Sequence, residues 1–133
     1  MSQENVEVVR RCYEFWTERD FSPMADLFHP DVVVDLSRNV FNPDIYRGFD
    51  GVRRWVDEVD EMWDDFKVEP EEVITAGDAV VTASRISGQG RGSGVKTEMT
   101  IFGVWTLREG KVSRFTGGFR DRSEALEAAG LEE

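Results

Sequence analysis

Arg85, Asp35 and Tyr46 are the side chains of this sequence whose type and setting most suit chemistry. Arg85 stands in AVVTASRIS, where a guanidinium among apolar neighbours is costly unless it pairs with an acid or meets an anionic or carbonyl ligand. Asp35 and Glu98 are its possible acid partners. Asp35 itself follows three valines, and a carboxylate in so apolar a strand would have a raised pKa and suit a general base. Tyr46, in YRG, offers a phenol that would hydrogen-bond a ligand, donate a proton, or only close the core. His29 is the sole histidine and Cys12 the sole cysteine, which excludes multi-histidine metal sites and leaves a hydrolytic triad one candidate base and no nucleophile elbow. His29 reads as a residue that caps a helix or bonds nearby backbone. There is no dinucleotide fingerprint, P-loop or metal cluster, so the sequence implies no cofactor and no metal.

Charge narrows the partners. Sixteen basic residues against 27 acidic ones give a net charge of −11, which repels phosphate backbones and anionic headgroups. The basic pairs Arg53–Arg54 and Arg120 with Arg122 are short and have acids beside them, so neither nucleic acid nor membrane is an expected partner. A single cysteine cannot form an internal disulfide, MSQENVEVVRR lacks a signal peptide's apolar run, and no segment has membrane-spanning length. A cytoplasmic protein is expected.

The elements that would position these side chains follow from periodicity. Val8, Val9, Cys12, Phe15 and Trp16 form the stripe of an amphipathic first helix. Ser22-Pro23 opens a second, short helix that His29-Pro30 ends. VVVDL at 32–36 reads as a strand, and 37–48 as an irregular crossing. A third helix starts near Asp50, with Val52, Trp55, Val56, Val59, Met62 and Trp63 buried and an acidic outer face that reads as solvated surface. Lys67–Thr75, Ala79–Gln89, Val95–Arg108 and Lys111–Arg120 read as long strands linked by Gly77-Asp78, a glycine-rich turn and Glu109-Gly110. Asp121, with Glu124 three residues on, caps a last helix that Gly130 stops. Without repeats or a linker, residues 1–133 read as one α+β domain.

This order, together with LFHPDVVVD, YRGFDGV and REGKVSRF, resembles the nuclear transport factor 2-like superfamily, and within it the SnoaL-like, polyketide cyclase-like group; DRSEALEAAGL is similar to its C-terminal helix. The resemblance implies a cone-shaped, curved, mostly antiparallel sheet wrapped around the N-terminal helices, with a pocket between its concave face and the first and third helices. It places Val34, Leu36, Val81, Ala83, Arg85, Ser87, Met99, Ile101, Gly103, Trp105, Ser113, Phe115, Gly117 and Phe119 inside. The pocket wall is then Trp16, Trp55, Val59, Trp63, Ile101, Trp105, Phe115 and Phe119, with Gly103, Gly117 and Ala83 leaving room, Tyr46 at the mouth and Arg85 as polar anchor. For Trp16, Trp55 and Trp63 core packing is the competing role.

The resemblance also matches Asp121 to an acid/base position of cyclase-like members, beside its plain reading as a cap. The steroid-isomerase branch would require an Asp where this chain has Leu36, another near Gly103 and a tyrosine near Cys12, so ketosteroid isomerase activity is not expected. The implied function is binding of a small, apolar or cyclic molecule. Cofactor-independent acid/base chemistry of the cyclisation, isomerisation or hydration type would use Arg85, Tyr46 and Asp35 or Asp121. The alternative is a non-catalytic ligand-binding or interaction module. A homodimer through the outer sheet face is expected.

Overall fold

The computed structural model describes residues 2–39 and 43–130. Helix α1 (Ser2–Glu18) leads into a four-residue α2 (Met24–Leu27) and strand β1 (Phe28–Asp35). A short β2 (Ile45–Arg47) precedes α3 (Gly48–Met62). Four long strands follow, β3 (Trp63–Ala76), β4 (Ala79–Gly90), β5 (Lys96–Arg108) and β6 (Lys111–Phe119), and α4 (Arg122–Ala128) ends the chain. One six-stranded sheet has the order β2-β1-β6-β5-β4-β3, antiparallel except for β1 beside β6.

Three boundaries depart from the sequence reading. The second helix stops at Leu27, and Phe28 is already extended (φ −116°, ψ 140°), so His29-Pro30 lies inside β1 rather than at a helix end. Part of the expected irregular crossing is β2, which pairs Tyr46 with Val34; residues 40–42 lie outside the described residues. Trp63, expected on the helix stripe, is extended (φ −128°, ψ 139°) and opens β3 with no intervening loop. The last helix forms as expected, with the Asp121 carboxylate accepting from the Glu124 N–H and Gly130 left-handed at φ 85°.

The sheet buries apolar side chains on both faces. On the concave face, Val9, Leu27, Val32, Val34, Val52, Val80, Trp105, Leu107, Val112 and Phe115 pack with α1, α2 and α3. On the convex face, Val81, Val104 and Phe119 pack under Ala125 and Leu126 of α4. Because α1 and α3 both run towards the end of the sheet where β4 turns into β5, their C-termini meet there. The opposite end is closed by the two-residue turn Gly77-Asp78 and by Glu109-Gly110, where Glu109 (φ 56°) and Gly110 (φ 78°) are both left-handed, as a tight hairpin requires.

Candidate functional site

Cross-strand pairing fixes which side chains enter the cone, because residues directly opposite each other in a sheet share a face. Trp105 pairs with Val80 and with Phe115, Gly103 with Thr82, and Ile101 with Ser84. The concave face of β4 is therefore Val80, Thr82, Ser84 and Ile86. The expected set Val81, Ala83, Arg85 and Ser87 is on the convex face. The β4–β5 turn length sets this phase, and it is one residue off the phase taken from the resemblance. Phe119 is corrected for a related reason. A register shift between Phe102 and Val104, with Gly118 left-handed at φ 85°, turns the end of β6 over and delivers Phe119 to the convex cluster.

A buried polar group lies on that concave face. The Tyr13 phenol donates to Thr82 Oγ1 at 3.1 Å and lies 2.6 Å from Ser84 Oγ. A phenol has one proton, so with that proton on Thr82 the Ser84 hydroxyl donates to Tyr13. Trp105 Nε1 also donates to Thr82 Oγ1, at 3.0 Å. Burial pushes the Tyr13 phenol up, more than its hydrogen bonds with Ser84, Thr82 and Trp105 lower it, so it stays protonated at neutral pH. The sequence reading missed Tyr13 by building the helix stripe around Cys12. Val6, Val9, Tyr13 and Trp16 form an equally regular stripe, which was the available signal.

Aromatic rings connect this group to the mouth. Tyr13 meets Trp105 (centroids 5.7 Å apart), Trp105 meets Phe115 (4.5 Å), and Phe115 stacks on Trp55 (5.7 Å, 23° between planes). Trp55 then meets Trp16 (4.6 Å), which meets Phe66 (6.1 Å), and Phe66 meets Trp63 (6.4 Å). The predicted Trp16, Trp55, Trp63, Trp105 and Phe115 are thus one continuous assembly, extended by Phe66, which the sequence reading did not single out. Val59 lies one helical turn beyond Trp55, and Ile101 sits opposite Ser84; both are half-buried. The two inward glycines, however, do not leave the room expected of them. A Cβ on Gly103 would lie 2.5 Å from Phe115 Cε1, and one on Gly117 3.2 Å from Phe115 Cε2, so the Phe115 ring already fills that space. Phe115 therefore closes the cone at this level, with Trp55 stacked on its ring towards the mouth.

At that upper level Trp16 is 9% exposed and its indole N–H has no hydrogen-bond partner among the described residues. Leaving such a donor unpaired costs about 1–3 kcal/mol. A clasp of charges holds the rim around it. Arg19 grips the Asp60 carboxylate through Nε (3.0 Å) and Nη2 (2.7 Å), while Arg91, from the β4–β5 turn, donates to the Asp60 carbonyl (2.8 Å) and pairs with Asp64 (2.8 Å). Arg19 (φ 55°) and Asp65 (φ 54°), both at this rim, are left-handed without being glycine, a conformation that costs of order 1 kcal/mol or more each.

The predicted ionisable residues do not converge. Arg85, 48% exposed, is bound by Glu98 and lies 4.0 Å from Glu71 on the convex face, so it anchors nothing inside the cone. Asp35 shares the convex face with Arg114 (2.5 Å) and accepts from Ser37; the Ser37 hydrogen bonds, more than the arginine, hold its carboxyl below the usual range, which is the reverse of a primed base. Asp121 is an exposed helix cap. Tyr46 alone stays inside: it is buried beside Trp55 and donates to Glu58 Oε1 at 2.7 Å, with the Arg54 guanidinium 4.3 Å over its ring. Burial, then the Glu58 hydrogen bond and charge, push this phenol well up. His29 bonds nearby backbone, as one of its two expected roles had it: Nδ1 accepts from the Asp31 N–H at 3.1 Å, Arg108 lies 2.8 Å from Nε2, and no helix is capped by it. Among the described residues no three His, Cys, Asp or Glu side chains gather into a metal site, and no helix is long and apolar enough to cross a membrane. Two hollows outside the cone, of about 380 Å³ on α3 and about 270 Å³ beside the β4–β5 turn, are lined largely by charged and polar groups.

Comparisons with known proteins agree with this geometry. The family described as the SnoaL-like domain matches residues 9–115. A solved nuclear transport factor 2-like protein from Burkholderia pseudomallei superposes with a TM-score of 0.76 at 22% identity, over 98% of each chain. A hypothetical protein with a ketosteroid isomerase-like fold from Catenulispora acidiphila, solved with trimethylamine, gives 0.74 at 18% identity, over 94% of this chain and 93% of that one. TerC, crystallised with polyporic acid, gives 0.73 at 22% identity, over 86% of this chain and 89% of that one. No curated protein matches the sequence. At these identities the structural likeness establishes the fold, which is the nuclear transport factor 2-like cone.

Proposed function

Because the chain belongs to the SnoaL-like domain family, we propose that residues 1–133 form one domain that binds a small, flat, mostly apolar molecule in the open half of the cone, between the Phe115 ring and the mouth. The observation that carries this is the Tyr13–Ser84–Thr82 hydroxyl group set into a wall of aromatic rings. Ligand sites are mostly apolar surfaces with a few placed polar groups. Trp16, Trp55, Trp63, Val59 and Ile101 form the wall, Trp105 and Phe115 the floor, and Tyr46 the edge. The TerC and Catenulispora relatives, solved with polyporic acid and trimethylamine, are precedents for small organic ligands on this fold. A cytoplasmic setting suits the single, buried Cys12.

Ile101→Trp tests the reading, because Ile101 is half-buried on the concave face and a larger ring there blocks the space without opening the core. Tetralin, a flat bicyclic hydrocarbon, should bind the native protein and change its tryptophan fluorescence, and should lose that binding in Ile101→Trp at nearly unchanged thermal stability. Binding that survives the block, or no binding to the native chain, defeats the reading.

One observation favours a second reading, cofactor-independent acid/base chemistry on the bound molecule. The Tyr46 O–H rests on the Glu58 carboxylate at the edge of the ring assembly, so that as the phenolic oxygen takes a proton from the substrate its own proton passes to Glu58, and the same relay run backwards returns a proton to the product. Arg85, Asp35 and Asp121 have no part in it. Turnover lost in both Tyr46→Phe and Glu58→Gln, with tetralin still bound, is its signature. A homodimer through the convex face left open beside α4, where Ile74 and Phe102 are half-buried, belongs to the same proposal; a monomer mass in sedimentation at micromolar concentration removes it.

A further inference from the structure

We propose that the ligand of this cone carries an uncharged hydrogen-bond acceptor, a carbonyl or ether oxygen, that accepts from the Trp16 indole N–H. The proposal rests on the binding reading above and specifies its ligand class. Its starting point is a contrast between two tryptophans of one assembly. Trp105 Nε1 is satisfied by Thr82, whereas Trp16 Nε1, also buried, has no partner among the described residues. Native proteins rarely leave a buried donor so, and each exception calls for a physical reason, a functional role among them. Water is a poor substitute, since a buried water needs two to four polar partners, and of the rings packed on Trp16 that of Phe66 offers none and that of Trp55 at most its one indole N–H.

The charge of the ligand follows from what surrounds Trp16. The Arg19 guanidinium lies 5.4 Å from the Trp16 ring centroid, but it is committed to the Asp60 carboxylate and to the Trp16 carbonyl. Asp60 is neutralised by the same pair. An anion entering the ring assembly would find this local cation already engaged, and burying a charge without a partner is costly. A cation would be drawn to the ring faces yet leave the indole N–H unsatisfied. A flat, neutral molecule with one acceptor satisfies both the stacked rings and the donor.

Paired probes test this: α-tetralone carries a carbonyl that tetralin lacks at nearly the same size, and benzyltrimethylammonium is the cationic control. The ketone should bind the native chain about tenfold tighter than the hydrocarbon, the scale of one net hydrogen bond. In proton–nitrogen correlation spectra the Trp16 indole proton should move downfield with α-tetralone and not with tetralin. Trp16→Phe should bring the two probes within about threefold of each other while tetralin is still held. Equal binding of both probes to the native chain, a ketone preference that survives Trp16→Phe, or tighter binding of the ammonium each overturns the acceptor proposal. If Trp16→Phe does not fold, the indole shift in the native chain decides the matter alone. The two levels separate cleanly: equal binding that Ile101→Trp abolishes defeats the acceptor only, whereas no binding, or binding that ignores Ile101→Trp, defeats the pocket and the acceptor together.

Discussion

The two ends of the cone are built to different rules. At the closed end Val9, Leu27, Val32, Val80 and Val112 are essentially without solvent exposure, the turns are short, and the buried side chains are mostly aliphatic, with Phe28 opposite Val112 among them. At the open end Trp55, Trp63, Phe66, Ile86 and Ile101 are half-buried, Met99 is 51% exposed, and the backbone is held left-handed at Arg19 and Asp65. The open end also holds the unpaired Trp16 donor. Well-packed aliphatic side chains supply stability, each worth about 1.5–3 kcal/mol when fully buried. Unsatisfied donors, strain and half-covered rings cost stability and are tolerated where a site requires them. The fold thus separates the part that holds it together from the part proposed to meet a ligand.

The sharpest way to break this division is to truncate one side chain at each end. Leu27→Ala removes a residue that is 1% exposed, and the rigid surroundings should leave a cavity costing about 2–5 kcal/mol. Tetralin affinity measured well below the melting temperature should change little. Ile86→Ala, on the concave face at the open end, should cost less stability and more affinity. Chemical denaturation and fluorescence titration of the same two variants check the pattern. If Leu27→Ala loses binding in proportion to stability, or Ile86→Ala costs as much stability as Leu27→Ala, the two ends are not separable.

A smaller effect tests the floor between them. Gly103→Ala places a methyl group 2.5 Å from the Phe115 ring, which Trp105 and Trp55 hold from either side. Overpacking of this kind costs about 1–3 kcal/mol. The displaced ring should rise towards the mouth, so tetralin affinity should fall as well. Phe115→Leu added to Gly103→Ala should restore part of both. A Gly103→Ala variant of native stability would show that Phe115 is not the floor.

How far the sequence could be read follows from the same contrast. Long periodic segments were legible: the α3 stripe, the β5 run and the Glu109-Gly110 turn each carry a local signal of helix, strand or hairpin. What was not legible is phase. Whether Thr82 or Arg85 enters the cone depends on how many residues the β4–β5 turn consumes, and a shift of one exchanges every side chain between faces. Phe119 changed face through a single irregularity at Gly118. The three residues of β2 are too few to show alternation. The unpaired state of Trp16 depends on what lies across from it in space, which no local pattern encodes. Most of the aromatic assembly was therefore legible, because aromatic stripes are local, while the polar residue expected beside it on β4 lies on the opposite face.

The smallest expected effect is the most direct check of that exchange. A guanidinium inside the cone would be indispensable to a ligand's oxygen, and Arg85→Met would abolish binding. On the convex face Arg85 is half exposed, and its pairs with Glu98 and Glu71 are screened by water, so such pairs contribute about 0–1 kcal/mol. Arg85→Met should accordingly leave the affinity for α-tetralone and its advantage over tetralin as in the native chain, with a shift in stability at the edge of measurement. Raising the salt concentration should erase even that shift, because screening acts on exposed pairs and not on the interior. A loss of ketone binding in Arg85→Met would place the guanidinium back inside the cone and overturn the assignment of the β4 faces, along with the role given to Trp16. Unchanged binding together with a lost ketone preference in Trp16→Phe would locate the polar contact on α1, one helical turn beyond Tyr13.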